Sequence, residues 1–185
     1  QMCIRDSIKT AFSKSDEFGS ETFDAFRQNR LIIARRLAAR SGVDLNNPNN
    51  FEGGDLSGYP LGFGKTNQSV LLPAFLSAYS GSDANSVELG AFRSIPIPNW
   101  DIKYTGFMKM KWFRKKFKRF SISHGYTSKY TINQFRSNLD YIQPDFSIEF
   151  PLQNPEHFDQ SNNYKNENLF SNINLMEQFS PLIKF

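Results

Sequence analysis

At 185 residues the chain is long enough for one domain with a real core, yet its mean hydropathy of −0.51 is low for that, because the apolar content is concentrated in rings: 15% of residues are aromatic and 19 of those are Phe. Cys3 is the only cysteine, which excludes an intrachain disulfide, and no run approaches the roughly 20 apolar residues of a membrane-spanning helix. Basic residues outnumber acidic ones 22 to 18, giving a net charge of +4 and a pI near 9.2, with much of the excess between Arg27 and Arg40 and between Lys103 and Lys129.

The first seven residues, "QMCIRDS", read as a non-native end and not as fold sequence. The other end, "LMEQFSPLIKF", stops inside an apolar run, whereas most domain ends are polar. With Gln1 at the start and no secretory h-region, the expectation is either a cytosolic chain or an internal piece of a longer protein.

Residues 20 to 40, "SETFDAFRQNRLIIARRLAAR", predict a helix with Ser20 or Thr22 as cap, Glu21 and Asp24 at its start and Arg35, Arg36 and Arg40 at its end. Phe23, Phe26, Ile33 and Leu37 form the apolar stripe, and the basic face is expected in solvent. Residues 41 to 67, rich in Gly, Asn and Pro, predict a loop. "QSVLLPAFLSAYSG" then predicts a helix apolar nearly all round, so enclosed on several sides, with Gly81 as its C-cap. Residues 8 to 91 thus read as a helical and loop segment.

From Phe92 the period changes to two, and residues 92 to 185 read as strands. "NWDIKYTGFM" alternates Trp100, Ile102 and Tyr104 with Asp101, Lys103 and Thr105. "FKRFSISHGYTSKYTI" alternates Phe120, Ile122, His124, Tyr126, Ser128, Tyr130 and Ile132 with Ser121, Ser123, Gly125, Thr127, Lys129 and Thr131. Between them "KMKWFRKKFK" is too cationic for a sheet and reads as a short amphipathic connection. "DFSIEFPL" repeats the alternation with Phe146, Ile148, Phe150 and Leu152, residues 153 to 168 read as a long exposed loop, and "FSNINLMEQFSPLIKF" begins a further strand.

Few residues bear chemistry. "GYPLGFGKT" has the Gly64-Lys65-Thr66 end of a phosphate-binding loop, but the residue five before Gly64 is Tyr59, Pro60 removes an amide, and no strand precedes it. His124 and His157 have no partner at metal-ligand spacing, Ser123 lies in no elbow motif, and Asp145 and Glu149, four apart, are too common a pair to signal catalysis. No catalytic residue, metal or cofactor is expected, and the chain does not read as an enzyme.

The basic and aromatic mixture of Lys111, Trp112, Phe113, Arg114, Lys115 and Lys116 suits single-stranded nucleic acid or a membrane surface alike. The strands favour the membrane, because rings on one face and small polar residues on the other are the pattern of a transmembrane barrel. Trp100, Ile102, Tyr104, Phe120, Ile122, Tyr126 and Tyr130 are then expected toward lipid. Asp101, Lys103, Thr105, Ser121, Ser123, Thr127 and Lys129 are expected toward a watery lumen, with the six basic-aromatic residues at the rim. The alternative is a soluble β-rich nucleic-acid-binding module using residues 109 to 120.

In order along the chain, "VLLPAFLSAYSGSDA", "IPIPNWDIKYTGF", "WFRKKFKRFSISHGYTSKYT" and "EQFSPLIKF" resemble the late part of the SprA family, very large outer-membrane proteins of the Bacteroidetes. That resemblance implies a mainly β fold with short helices, a fragment of a very large antiparallel transmembrane β-barrel. It implies a translocon of the type 9 secretion system, required for gliding motility, at the outer membrane and cell surface. The implied partners are secreted cargo proteins with C-terminal sorting domains, plug and outer-membrane partner proteins, and the lipid bilayer, with no nucleic acid.

Overall fold

The computed structural model describes residues 2–5, 15–16, 19–91, 98–146, 154–180 and 183–184. Two helices lie against one end of a long antiparallel hairpin, and a further strand flanks the hairpin's other end. The fold is therefore mixed helix and strand, not mainly β with short helices, because the pair α1 (Glu21–Arg40) and α2 (Gln68–Ser80) supplies most of the core.

The helix α1 forms where expected, with Glu21 and Asp24 in its first turn and Arg40 in its last, where they complement the helix dipole. Ser20 precedes it without a side-chain capping bond. Phe26, Ile33, Ala34 and Ala38 are buried along it, whereas Phe23, placed on the stripe by periodicity, is exposed. The expected solvated basic face is in part occupied: Arg30 donates to the carbonyl of Lys65, Arg35 to that of Gly58 and Arg36 to that of Ala84 at 2.7 Å. These guanidiniums satisfy carbonyls that loops otherwise leave to water.

Asn67 caps α2, its side chain accepting from the Ser69 amide, and Gly81 ends it at φ 77°, a left-handed cap that glycine adopts without steric cost. Val70, Leu72, Ala74, Phe75, Leu76 and Ala78 are buried, which is the all-round enclosure its composition predicts.

The sheet runs β1 (Met2–Arg5), β6 (Asn168–Phe179), β5 (Ser121–Ser137), β4 (Trp100–Tyr104), with β7 (Ile183–Lys184) also beside β5. It is open, not closed. A separate two-strand pair joins β2 (Ser15–Asp16) to β3 (Gly19–Ser20). Pairing of β5 with β6 runs from Tyr126↔Phe179 to Ser137↔Asn168, and β7 continues it at Ser121↔Lys184 and Ile122↔Ile183. In every pair the two residue numbers sum to 305 (126 + 179, 137 + 168, 121 + 184), so one register holds from end to end. Gln134, at φ 53°, twists the strand locally without inserting a residue.

Met2–Arg5 pairs in parallel with β6 from Met2↔Ile173 to Arg5↔Met176, as an unpaired strand edge invites. Three expectations change here. The strand starts at Ser121, so Phe120 lies outside it; Thr105 likewise falls beyond β4, at φ −114° and ψ 2°. Of the strand expected over 145 to 152, Asp145 and Phe146 lie outside any strand and residues 147–152 lie outside the described residues. Finally, the loop of 153 to 168 is not simply exposed, because Asn163 and Tyr164 are buried.

That loop clasps the glycine-rich one. Tyr164 donates its amide to the Gly62 carbonyl at 2.8 Å, Gly64 donates to Asn163 Oδ1 at 2.9 Å, and Asn163 Nδ2 reaches Thr66 Oγ1 at 3.0 Å. Asn67 Nδ2 binds the carbonyls of Gly62 and Tyr164, and Ser69 and Asn166 join through their side chains. From Gln68, Nε2 donates to the Asn168 carbonyl while Oε1 accepts from the Phe170 amide, tying the start of α2 to the start of β6. Gly62 sits at φ 79° with the Tyr164 ring so close that a Cβ would overlap it.

Gly62→Ala is therefore expected to destabilise the chain by about 2–4 kcal/mol, through a positive φ and an overlap that displaces the buried Tyr164 ring. Gly53→Ala, at φ −98° with open space around it, should stay within about 0.5 kcal/mol. Urea unfolding followed by circular dichroism compares the two, and equal midpoints would contradict the clasp.

Candidate functional site

Residues directly opposite on paired strands share a face, so the apolar face of the sheet can be traced across it. Trp100, Ile102 and Tyr104 of β4 lie opposite Tyr126, His124 and Ile122 of β5, and Tyr126 lies opposite Phe179 of β6. Farther along, Tyr130 lies opposite Leu175 and Ile132 opposite Ile173. One continuous face thus meets two surroundings. The helices cover its far half: Leu175 and Ile173 are in the main core, with Tyr130 and Ile132 packed against it. Among the described residues no helix covers the near half, and Trp100, Ile102 and Tyr104 are exposed, Ile102 to 59%.

Tyr130 accordingly leaves the set expected toward lipid. Its hydroxyl donates to the Ala91 carbonyl at 3.0 Å, and its half-buried ring packs against the main core. Tyr126 is also buried, at 7% exposure, but by its own sheet: Trp100 lies 4.5 Å away on one side and Phe179 4.8 Å on the other, ring to ring. Its hydroxyl donates to Glu177 Oε1 at 2.9 Å. His124 lies among the same rings, near Trp100 and Phe179, and its Nδ1 has no hydrogen-bond partner among the described residues. Ile122 is half-buried.

The opposite face carries Asp101, Lys103, Thr127 and Lys129, all exposed, with Ser121 and Ser123 half-buried. A Cβ at Gly125 would come within 3.1 Å of Ser180 Oγ and 3.4 Å of Asp101 Oδ2. Asn99 extends β4 by accepting from the Ser128 amide at 2.7 Å.

Between β4 and β5 the chain makes a 3-10 turn, Gly106–Lys109, and a short helix α3, Lys111–Lys116. Phe113 turns inward, 5.1 Å from Phe107, 5.2 Å from Phe120 and 6.0 Å from Phe117, and Phe107 meets Tyr104 edge-on at 5.1 Å. Phe120, expected in the wall, belongs to this ring cluster. Lys111, Trp112, Arg114, Lys115 and Lys116 remain exposed.

The other chemistry-bearing residues have structural work. Two of the amides that a phosphate loop would present are occupied, Phe63 by the Pro60 carbonyl and Gly64 by Asn163. Sequence reading of "GYPLGFGKT" missed its true partner because Asn163 lies 99 residues away. His157 is buried, with Nδ1 3.2 Å from the Ile142 carbonyl. Among the described residues no group of three or more His, Cys, Asp or Glu could hold a metal, and no helix is long and apolar enough to cross a membrane.

No protein-family model matches the chain, and no curated protein matches it.

The ring stack around Tyr126 predicts a graded response. Tyr126→Phe should cost about 1–2 kcal/mol through the lost bond to Glu177, and Tyr126→Ala about 3–5 kcal/mol through the lost ring as well. Urea unfolding reads both; a Tyr126→Phe variant as damaging as Tyr126→Ala would assign the burial to the hydroxyl alone.

Proposed function

We propose that the chain is part of the wall of an outer-membrane protein-conducting channel, with its helical pair held beyond the membrane. One observation carries this reading. On β5 the interval 121–129 lies between a cation-dense connector ending at Phe120 and the helix-covered half beginning at Tyr130. That interval matches the about 9–11 tilted residues a barrel strand needs to cross a bilayer. Within it, the apolar face is bare of helix and lined with aromatic residues while the other is polar, as between lipid and a watery lumen.

The hairpin as a whole is longer than a bilayer requires, which fits a wall that projects beyond the membrane and carries the helices there. Glu177 and Ser128, opposite each other on the apolar face, fall at the upper limit of the interval, where polar groups are tolerated. Among the described residues β4 pairs with β5 on one side only, and that open edge fits a continuing wall, since an open sheet edge is costly in lipid. The resemblance to the SprA family points the same way and supplies the role: type 9 export of cargo proteins with C-terminal sorting domains and support of gliding motility, with plug and outer-membrane partner proteins at the openings. Residues in this account bind and exclude; none is assigned catalysis.

Lysine substitutions in the full-length channel test it. Ile102→Lys, on the bare apolar face, should cost about 2–4 kcal/mol in the membrane-inserted state if it lies near mid-bilayer, and reduce both heat-modifiable barrel and secretion of a cargo. Thr127→Lys, on the polar face, should cost little, because water solvates the ammonium. Equal tolerance of the two would sink the reading, and greater damage from Thr127→Lys would turn the wall inside out.

A further inference from the structure

We infer that the connector 106–120 is a docking site for the phosphate headgroups of anionic lipids, an inference that rests on the connector lying at a membrane rim. Seven cations lie between Lys109 and Arg119, and the connector contains no acidic residue. None of the seven forms a salt bridge among the described residues, where the recorded ion pair is Arg27 with Asp24. So many like charges repel one another, and the inward rings of Phe107, Phe113, Phe117 and Phe120 are what hold them together. An anionic surface relieves that repulsion without first breaking protein ion pairs.

The side chains fit a surface of many phosphates better than a single pocket. Five of the seven are lysines, compact point charges on flexible stems, not the rigid forks that grip one phosphate bidentately. Beside them Trp112 is 60% and Met110 55% exposed, apolar groups placed to enter the headgroup boundary while the ammoniums stay at its surface. The same arrangement argues against single-stranded nucleic acid. Successive bases need successive stacking platforms, and here four rings are spent on one another while Trp112 alone is left open.

The test is flotation of the 185-residue chain with vesicles of phosphatidylcholine and with vesicles containing added phosphatidylglycerol. The unmodified chain should favour phosphatidylglycerol, and this preference should fall as salt rises. The triple variant Arg114→Gln, Lys115→Gln, Lys116→Gln, checked for unchanged circular dichroism, should lose on the order of a hundredfold in that partition and nothing on phosphatidylcholine. Equal partition of both proteins, or no salt dependence in the unmodified chain, overturns the site. Displacement from the vesicles by stoichiometric single-stranded oligonucleotide overturns it in favour of nucleic acid. Alkaline carbonate extraction separates this inference from the channel reading. Cation-dependent binding that carbonate strips off supports the site whatever becomes of the wall, which the Ile102 and Thr127 lysine variants of the full-length channel test separately; cation-independent, unextractable insertion overturns the site and leaves the wall standing.

Discussion

The hydrogen bond from the Gly64 amide to Asn163 Oδ1 joins residues 99 apart, and the placement of the helices depends on it and its neighbours. Asn163 is 1% exposed, so its side-chain amide must find partners within the protein or cost the full penalty of buried polar atoms. It finds them in Gly64, Thr66 and its own loop, while Asn67 spans the same gap from the other side. The apolar core then closes around this polar clasp: Tyr164 lies 5.3 Å from Phe63 and 5.1 Å from Phe146. Helix packing alone leaves α1 and α2 free to choose where they sit on the hairpin. The clasp removes that choice, because one partner loop ends at Asn67, which caps α2, and the other runs into β6 at Asn168.

This arrangement lets one sheet face serve two purposes. Its far half meets aliphatic side chains of the helices, with Leu175 and Ile173 as the contact residues. Its near half offers broad rings to whatever lies outside. Aromatic residues suit the second task because they carry large apolar area with little conformational freedom to lose. The change between the two falls near Ser128 and Glu177, where the face becomes polar for one pair before the helices take over.

Local chemistry was legible in the sequence wherever a residue's partners lie within a few positions. The bounds of α1 and α2, the cap at Gly81 and the alternation along β4 and β5 follow from period and composition. What sequence could not display were partners set by the tertiary fold. Tyr130 shares the parity of Ile122, and only the helices seated above it separate the two. Phe120 continues the alternation of β5 by number, but its ring belongs to the cluster around Phe113. The segment "DQSNNYKNEN" has the composition of an exposed loop, and the burial of Asn163 within it becomes visible only when the glycine-rich segment is brought against it. The arginines of α1 are the same case in charge: three of them serve loop carbonyls that no helical wheel contains.

The unbroken register of β5 with β6 and β7 has a mechanical consequence. A shift of one residue between these strands would exchange the two faces, sending Tyr130 and Leu175 away from the helices, and a shift of two would tear the strand start at Asn168 from the clasp. Sliding is therefore closed to this hairpin as a way of changing shape. A closed wall sets its bore by strand number and stagger together. In such a wall this pair would act as a fixed stave, and any widening would have to come from tilting whole staves or from joints elsewhere in the circumference.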